Sequence, residues 1–370
     1  MEQIIFAGIL AFLTTLFAIP KIIYVSEKKK LFDTPDDIRK VHTKPISSLG
    51  GLGIFLGFII SILLTGHFFQ VYEFQYYIAS FILIFFIGIK DDIVEISAVK
   101  KFIGQALIAC ILMFKAHLLI SNMDGFLGLT HIYLSFSFFL TFFTIIVIIN
   151  AFNLIDGVDG LAGSLGLISA VVFGTFFLVN GNIPYALVGF GFAGSLAAFL
   201  IFNFQPAKIF MGDTGSLLMG VVNSILVIKF IQTGDSYTIF PVGAVPAIGF
   251  SILLLPLMDT LRVFGIRILH GLSPFTADRN HIHHLLLERG FTHRKITLTC
   301  SAISLLFIMA AFLLQKAGTT WLIAGFISCF FIIIVSIKKI PVKAPMRVIK
   351  NENDILLNAE GDKYVSGHRI

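Results

Sequence analysis

The chain has 370 residues, of which 57% are hydrophobic and 13% charged, with a formal net charge of +6. That charged fraction is about half what an ordinary soluble domain carries, so a water-soluble globule is excluded. The basic excess sits in short segments between apolar runs and is not interleaved with aromatics on one surface, which argues against nucleic acid as a partner.

The apolar residues fall into runs of about 17 to 25, long enough to cross about 30 Å of hydrocarbon as helix. Helix also satisfies every backbone polar group there. In chain order the runs predict an all-α integral membrane protein, a polytopic bundle of eleven spans near 3–25, 50–66, 75–90, 101–120, 131–149, 161–180, 184–202, 214–232, 240–262, 296–315 and 320–337. Asn180-Gly181-Asn182 and Lys316-Ala317-Gly318 divide two of the pairs. No Lys or Arg precedes Lys21 in the first run and no small-residue cleavage site follows it, so it reads as a retained helix.

With the N-terminus outside, Lys28, Lys29, Lys30, Arg39, Lys40, Lys44, Lys90, Lys100, Lys101, Lys208, Arg279, Arg289, Arg294 and Lys295 share one side with the tail. Lys115, Lys229 and Lys316 are left on the other. Basic residues accumulate in cytoplasmic loops, so the C-terminus is expected in the cytoplasm. Residues 1–340 read as one transmembrane domain and 341–370 as a polar tail. Cys110, Cys300 and Cys329 lie in apolar spans without metal-like spacing and read as small buried hydrophobes.

Ionisable groups are costly in such a chain, so each cluster marks a candidate site. The topology puts five on the cytoplasmic side. Asp91 and Asp92 end the third span, followed by Lys100, Lys101 and Gln105. Adjacent carboxylates repel unless a cation stands near them, although a solvated helix end would also tolerate the pair.

Next come Asn153, Asp156 and Asp159 at i, i+3 and i+6, which would share a face if helical. Gly157 and Gly160 among them permit close approach to the backbone. Asn203 and Asp213 flank a third cluster, where Asp213 sits between Gly212 and Gly215 ahead of a helix. Asp213 or Thr214 would cap that helix, or its N-terminus would take a phosphate.

Arg262 and Arg267 precede the fourth, Asp278-Arg279-Asn280-His281-Ile282-His283-His284, whose cation and imidazoles suit a diphosphate. Zinc is disfavoured there, with no His-Glu-x-x-His arrangement and no nearby cysteine. His42-Thr43-Lys44-Pro45 ahead of Gly50-Gly51 forms the fifth. Oxygen-rich groups of this kind favour Mg²⁺ or Mn²⁺ with phosphates. A transporter would instead place acids near mid-membrane within paired repeats, and neither is visible.

Four of these motifs, in order over about residues 40 to 295, resemble the polyprenyl-phosphate N-acetylhexosamine-1-phosphate transferase family: Asp91-Asp92, the run from Asn150 to Ala162, the run from Pro206 to Ser216, and the His281–His284 loop. His281-Ile282-His283-His284 is more similar to the undecaprenyl-phosphate N-acetylglucosamine-1-phosphate branch than to the muramyl-pentapeptide branch, which has three consecutive histidines. Many members have Pro-Arg where this chain has Ser47-Ser48, so no Arg stands there for a phosphate.

The resemblance implies a phosphotransferase of the bacterial inner membrane, active on its cytoplasmic face. Undecaprenyl phosphate would attack the β-phosphorus of UDP-N-acetylglucosamine, release UMP, and begin a lipid-linked glycan such as O-antigen, teichoic acid or capsule. Asp213 and Asn153 would hold Mg²⁺, or Mn²⁺ in its place. Asp91, Asp92, Asp156 and Asp159 would be catalytic, and Asn203, Lys101, Arg279, His281, His283 and His284 would bind substrate. Another N-acetylhexosamine, a covalent carboxylate intermediate and a homodimer all stay open.

Overall fold

The structure, a computed structural model, describes residues 1–29, 46–65, 71–237, 239–272 and 280–342. Thirteen helices are seen among them. The first four are α1 (Glu2–Lys29), α2 (Gly50–Leu64), α3 (Phe74–Ile93) and α4 (Ala98–Cys110), the last continued by a π turn over Ile111–Lys115. After a hairpin of β1 (Asn122–Phe126) and β2 (Leu129–His131) come α5 (Leu134–Ile155), α6 (Leu161–Val179), α7 (Ile183–Asn203) and α8 (Gly212–Thr233). The remainder are α9 (Val245–Ile252), α10 (Leu254–Leu269), α11 (Ile282–Glu288), α12 (His293–Leu313) and α13 (Thr319–Lys339).

Every expected span has a helix, but not every helix is a full span. Seven described helices are long and apolar enough to cross a membrane, or eight if α9 and α10 count as one. Eleven full spans are therefore not confirmed: α2 has 15 residues, α4 has 13, and α3 closes on Lys90, Asp91 and Asp92. The run at 240–262 is broken by an 80° bend between α9 and α10. The hairpin is a small departure from an all-helical chain. Gly125 and Gly128 form its turn at φ of +76° and +82°, where glycine carries no Cβ penalty.

The core is built around α8, which is buried on nearly all sides and packs on α2, α3 and α5. A second layer sets α7 against α1, α2 and α6. Small residues allow these contacts. A methyl group on Gly189 would lie 2.6 Å from the Cα of Gly174, and one on Gly88 would lie 2.5 Å from the Cα of Thr214. Without a hydrophobic force between helices in lipid, such close backbone approach is what holds them. The α3–α8 contact also sets the site, because the C-terminal end of α3 meets the N-terminal end of α8.

Candidate active site

At that meeting point Asp92 accepts hydrogen bonds from the backbone N–H of Asp213 at 2.7 Å and of Thr214 at 3.0 Å, and the Thr214 hydroxyl also donates to it. The first N–H groups of a helix have no partner in their own helix. Asp92 therefore caps α8 from a neighbouring helix, placing negative charge at the positive end of its dipole. This corrects the expectation that Asp213 or Thr214 caps α8, or that its end lies open to a phosphate. Gly212, at φ +70°, lets the carboxylate in, because a Cβ there would sit 2.7 Å from Asp92 Oδ1.

Asp91 points elsewhere. Its Oδ1 accepts from the Ile96 N–H at 2.7 Å, and its Oδ2 pairs with Lys101 Nζ in the first turn of α4. Lys101 Nζ also donates to Asp213 Oδ2 at 2.6 Å. Asp213 Oδ1 accepts from Asn153 Nδ2 at 3.0 Å, and the same amide reaches Ser216 Oγ at 3.0 Å. Asp91, Lys101, Asp213 and Asn153 thus form one connected chain drawn from α3, α4, α8 and α5.

The face expected to carry Asn153, Asp156 and Asp159 stops after Asn153. Helix α5 ends at Ile155, Asp156 is its C-terminal cap at φ −78° and ψ 50°, and a turn through Gly160 at φ +76° starts α6. Asp156 accepts no hydrogen bond among the described residues. Loss of hydration, and then the charges of Asp213, Asp92 and Asp159, push its carboxyl up to about 8.

Asp159, 4% exposed, has Oδ1 at 3.1 Å from His293 Nδ1 and Oδ2 at 3.4 Å from the Ala207 N–H. Its carbonyl accepts from the Thr297 hydroxyl at 2.8 Å. Asn203 accepts from the Gly160 N–H at 2.8 Å and donates to the Ile209 carbonyl at 2.9 Å. Both residues stitch the α5–α6 and α7–α8 loops together.

The histidines form a second group. His281 Nδ1 lies 2.8 Å from Asp259 Oδ2 on α10, and the Ile282 N–H donates to Asp259 Oδ1 at 2.9 Å. Arg262 Nη2 donates to the same Oδ1 at 2.8 Å and to the Asn280 carbonyl. The rings of His281 and His283 are nearly parallel, 5.7 Å between centroids, and His284 lies 4.3 Å beyond His283. His283 Nε2 abuts Gly157, leaving no room for a Cβ and linking the histidines to the loop that carries Asp156 and Asp159. Burial, then the neighbouring His284, pushes the His283 imidazole down to about 3, so it meets any ligand as a neutral ring.

Asp278, Arg279 and His42-Thr43-Lys44-Pro45 lie outside the described residues. Sequence reasoning missed Asp259 and His293, and it noted Ser216 only as the end of the Pro206–Ser216 run. Asp259 carried a signal, as a lone acid inside an otherwise apolar predicted span. His293 had none, because long-range contact alone selects it.

Among the described residues no three His, Cys, Asp or Glu side chains converge as a metal cage. Four carboxylates do share this end, those of Asp91, Asp92, Asp156 and Asp213, with Lys101 as the cation that touches two of them. Such an oxygen-rich, under-neutralised site fits a hard divalent cation bound through one or two protein oxygens, the rest coming from phosphate and water. It does not fit zinc.

A membrane-embedded helical protein with an acid-rich, phosphate-suited site at one end of its helices is the class that fold and site define. The model of glycosyl transferase family 4 matches residues 74–231, the stretch from α3 to α8. A Bacillus subtilis protein described as a probable undecaprenyl-phosphate N-acetylglucosaminyl 1-phosphate transferase is 33% identical over 327 residues, 87% of each chain. Undecaprenyl-phosphate alpha-N-acetylglucosaminyl 1-phosphate transferases of Yersinia pestis and Escherichia coli K12 are 32% and 30% identical, over 76% and 78% of this chain and 77% and 78% of theirs. The chain belongs to glycosyl transferase family 4, among the polyprenyl-phosphate N-acetylhexosamine-1-phosphate transferases its motifs resemble, and is a transferase.

Proposed function

We propose that the protein transfers N-acetylglucosamine 1-phosphate from UDP-N-acetylglucosamine to undecaprenyl phosphate, releasing UMP. The names of its relatives support the substrates. The observation that carries the chemistry is the connected chain Asp91–Lys101–Asp213–Asn153 beside Asp156.

In this reading an oxygen of the lipid phosphate bonds to the β-phosphorus, and the bond from that phosphorus to the oxygen shared with the α-phosphate breaks. The electron pair leaves on UMP. A phosphate monoester with a second pKa near 6 is largely ionised at neutral pH, so the attack needs no base and no covalent carboxylate intermediate.

Phosphoryl transfer then depends on positioning and electrostatics. Asp213 and Asn153 are the residues that would hold Mg²⁺, with Mn²⁺ as substitute. The cation, when bound, neutralises diphosphate charge and stabilises the departing UMP. Lys101 holds Asp91 and Asp213 in register, and Asp156 faces the same space. Asp92 and Asp159 act by fixing the start of α8 and the adjoining loops. His281, His283 and His284 line the nucleotide-sugar side.

The reading also places the site on the cytoplasmic face of the bacterial inner membrane, supported by the bias of Lys and Arg towards that end. In a cysteine-free background, Leu127→Cys should be labelled from outside and Glu288→Cys from the cytoplasm, and the reverse pattern would overturn the orientation.

The activity is tested by UMP release from purified protein in detergent with UDP-N-acetylglucosamine, undecaprenyl phosphate and Mg²⁺. Release that requires the lipid and is lost with EDTA supports the reading. Release with UDP-N-acetylgalactosamine instead would change the sugar, and none with either would defeat it.

A further inference from the structure

We propose that Asp259 is a positioning residue for the transfer: by holding Nδ1 of His281 it turns Nε2 of that ring towards the oxygens of the bound nucleotide sugar. The inference rests on the transferase reading above.

Asp259 is fully buried, and the groups hydrogen-bonded to it all serve the same segment. Oδ2 meets His281 Nδ1 at 2.8 Å, and Oδ1 takes the Ile282 N–H at 2.9 Å. Arg262, one turn further along α10, bonds to Oδ1 and to the carbonyl of Asn280. Residues 280, 281 and 282 are therefore gripped in succession from a single helix.

A carboxylate bonded to one ring nitrogen fixes both the plane of an imidazole and which nitrogen is left for a ligand. Here the nitrogen left is Nε2. His281 is 4% exposed, and its Nε2 has no hydrogen-bond partner among the described residues. An unpaired buried polar atom is costly, so its retention points to a partner that arrives with the ligand.

The surroundings say where that ligand lies. The His281 ring is parallel to that of His283, within 5°, and His283 packs on Gly157, between Asp156 and Asp159. The imidazoles thus run alongside the loop that carries the site's acids. The pair Asp259 and Arg262, three residues apart, lies outside the stretch matched by the family model.

The test is a double-mutant cycle on the full-length protein in detergent, with D259N, H281N and both together, and D259E as the conservative variant. D259N and H281N should each lower kcat/KM for UDP-N-acetylglucosamine by about 10- to 100-fold. The KM for undecaprenyl phosphate should hold, and D259E should recover part of the loss. The double variant should be no worse than H281N, because the second change removes a partner already gone.

Additive losses, or equal losses towards both substrates with a lowered melting temperature, would overturn the inference. Should D259N fail to fold, D259E takes its place in the cycle. A wild type that releases no UMP would defeat the transferase reading separately. In that case ¹⁵N-histidine NMR decides: His281 resonances that move in the Asp259 variant support the positioning role, and unmoved ones overturn it.

Discussion

At the start of α3, Glu73 accepts hydrogen bonds from Lys229 at 3.2 Å and from the Tyr185 hydroxyl at 3.0 Å, and Tyr185 in turn lies 3.0 Å from the Tyr77 hydroxyl. Lys229 also sits 4.9 Å over the Tyr185 ring. About 30 Å away, at the other end of the same helix, Asp91 and Asp92 lie with Asp156 and Asp213, and Lys101 pairs with Asp91 and Asp213. One end balances one acid with one cation and closes its hydrogen bonds internally. The other gathers four acids with one lysine, which touches two of them, and leaves Asp156 without a hydrogen bond among the described residues. A polar cluster that completes itself reads as structural, and one that stays short of positive charge is the candidate site for a ligand.

The largest test of that contrast is Asp213→Asn, which keeps the shape but removes the charge that Lys101 and Asn153 grip. UMP release should fall by about 10³-fold while the protein stays folded in the membrane, and unchanged turnover would remove Asp213 from the site. Lys101→Gln comes next. It takes away the cation between Asp91 and Asp213, and kcat should drop by about 10²-fold. Raising Mg²⁺ should recover part of the loss, and a loss indifferent to Mg²⁺ would mean that the lysine does not share the work of a metal.

Gly157→Ala is subtler. Its methyl group meets the His283 ring, and relieving such overpacking costs about 1–3 kcal/mol. An increase of about tenfold in KM for the nucleotide sugar, read from initial rates, is expected. At the balanced end, Glu73→Gln should leave turnover within about twofold, because a partly exposed ion pair contributes about 0–1 kcal/mol. A large loss of activity there would break the comparison.

Much of the site was legible in the chain because its acids are so out of place among apolar residues. Asp91, Asp213 and Asn153 were predicted to share one end, and in the structure Lys101 bridges Asp91 and Asp213 while Asn153 donates to Asp213. The spacing of Asn153, Asp156 and Asp159 misled, since a 3.6-residue period holds only while the helix lasts, and α5 stops at Ile155. The role of Asp259 was hidden for a different reason. It stands out as a lone acid inside the predicted span 240–262, but its tie to His281 spans 22 positions, so its partner was not readable. Helix existence was readable from hydropathy, and the 80° bend at Leu253 falls where Pro256 has no N–H to offer the Ile252 carbonyl, a mark that a reading by run length passes over. Eleven spans are not confirmed, because length and apolarity alone single out seven or eight of the described helices and leave out short ones such as α2.

The cap that Asp92 places on α8 has a consequence for selectivity. Helix N-termini ordinarily draw stray anions through their bare N–H groups. Here the protein's own carboxylate is the resident anion, so inorganic phosphate or sulfate finds no foothold at that terminus. Under the proposed function, a phosphate is then recognised by Lys101 and the imidazoles instead, which favours a molecule long enough to reach from the acid cluster to the histidines.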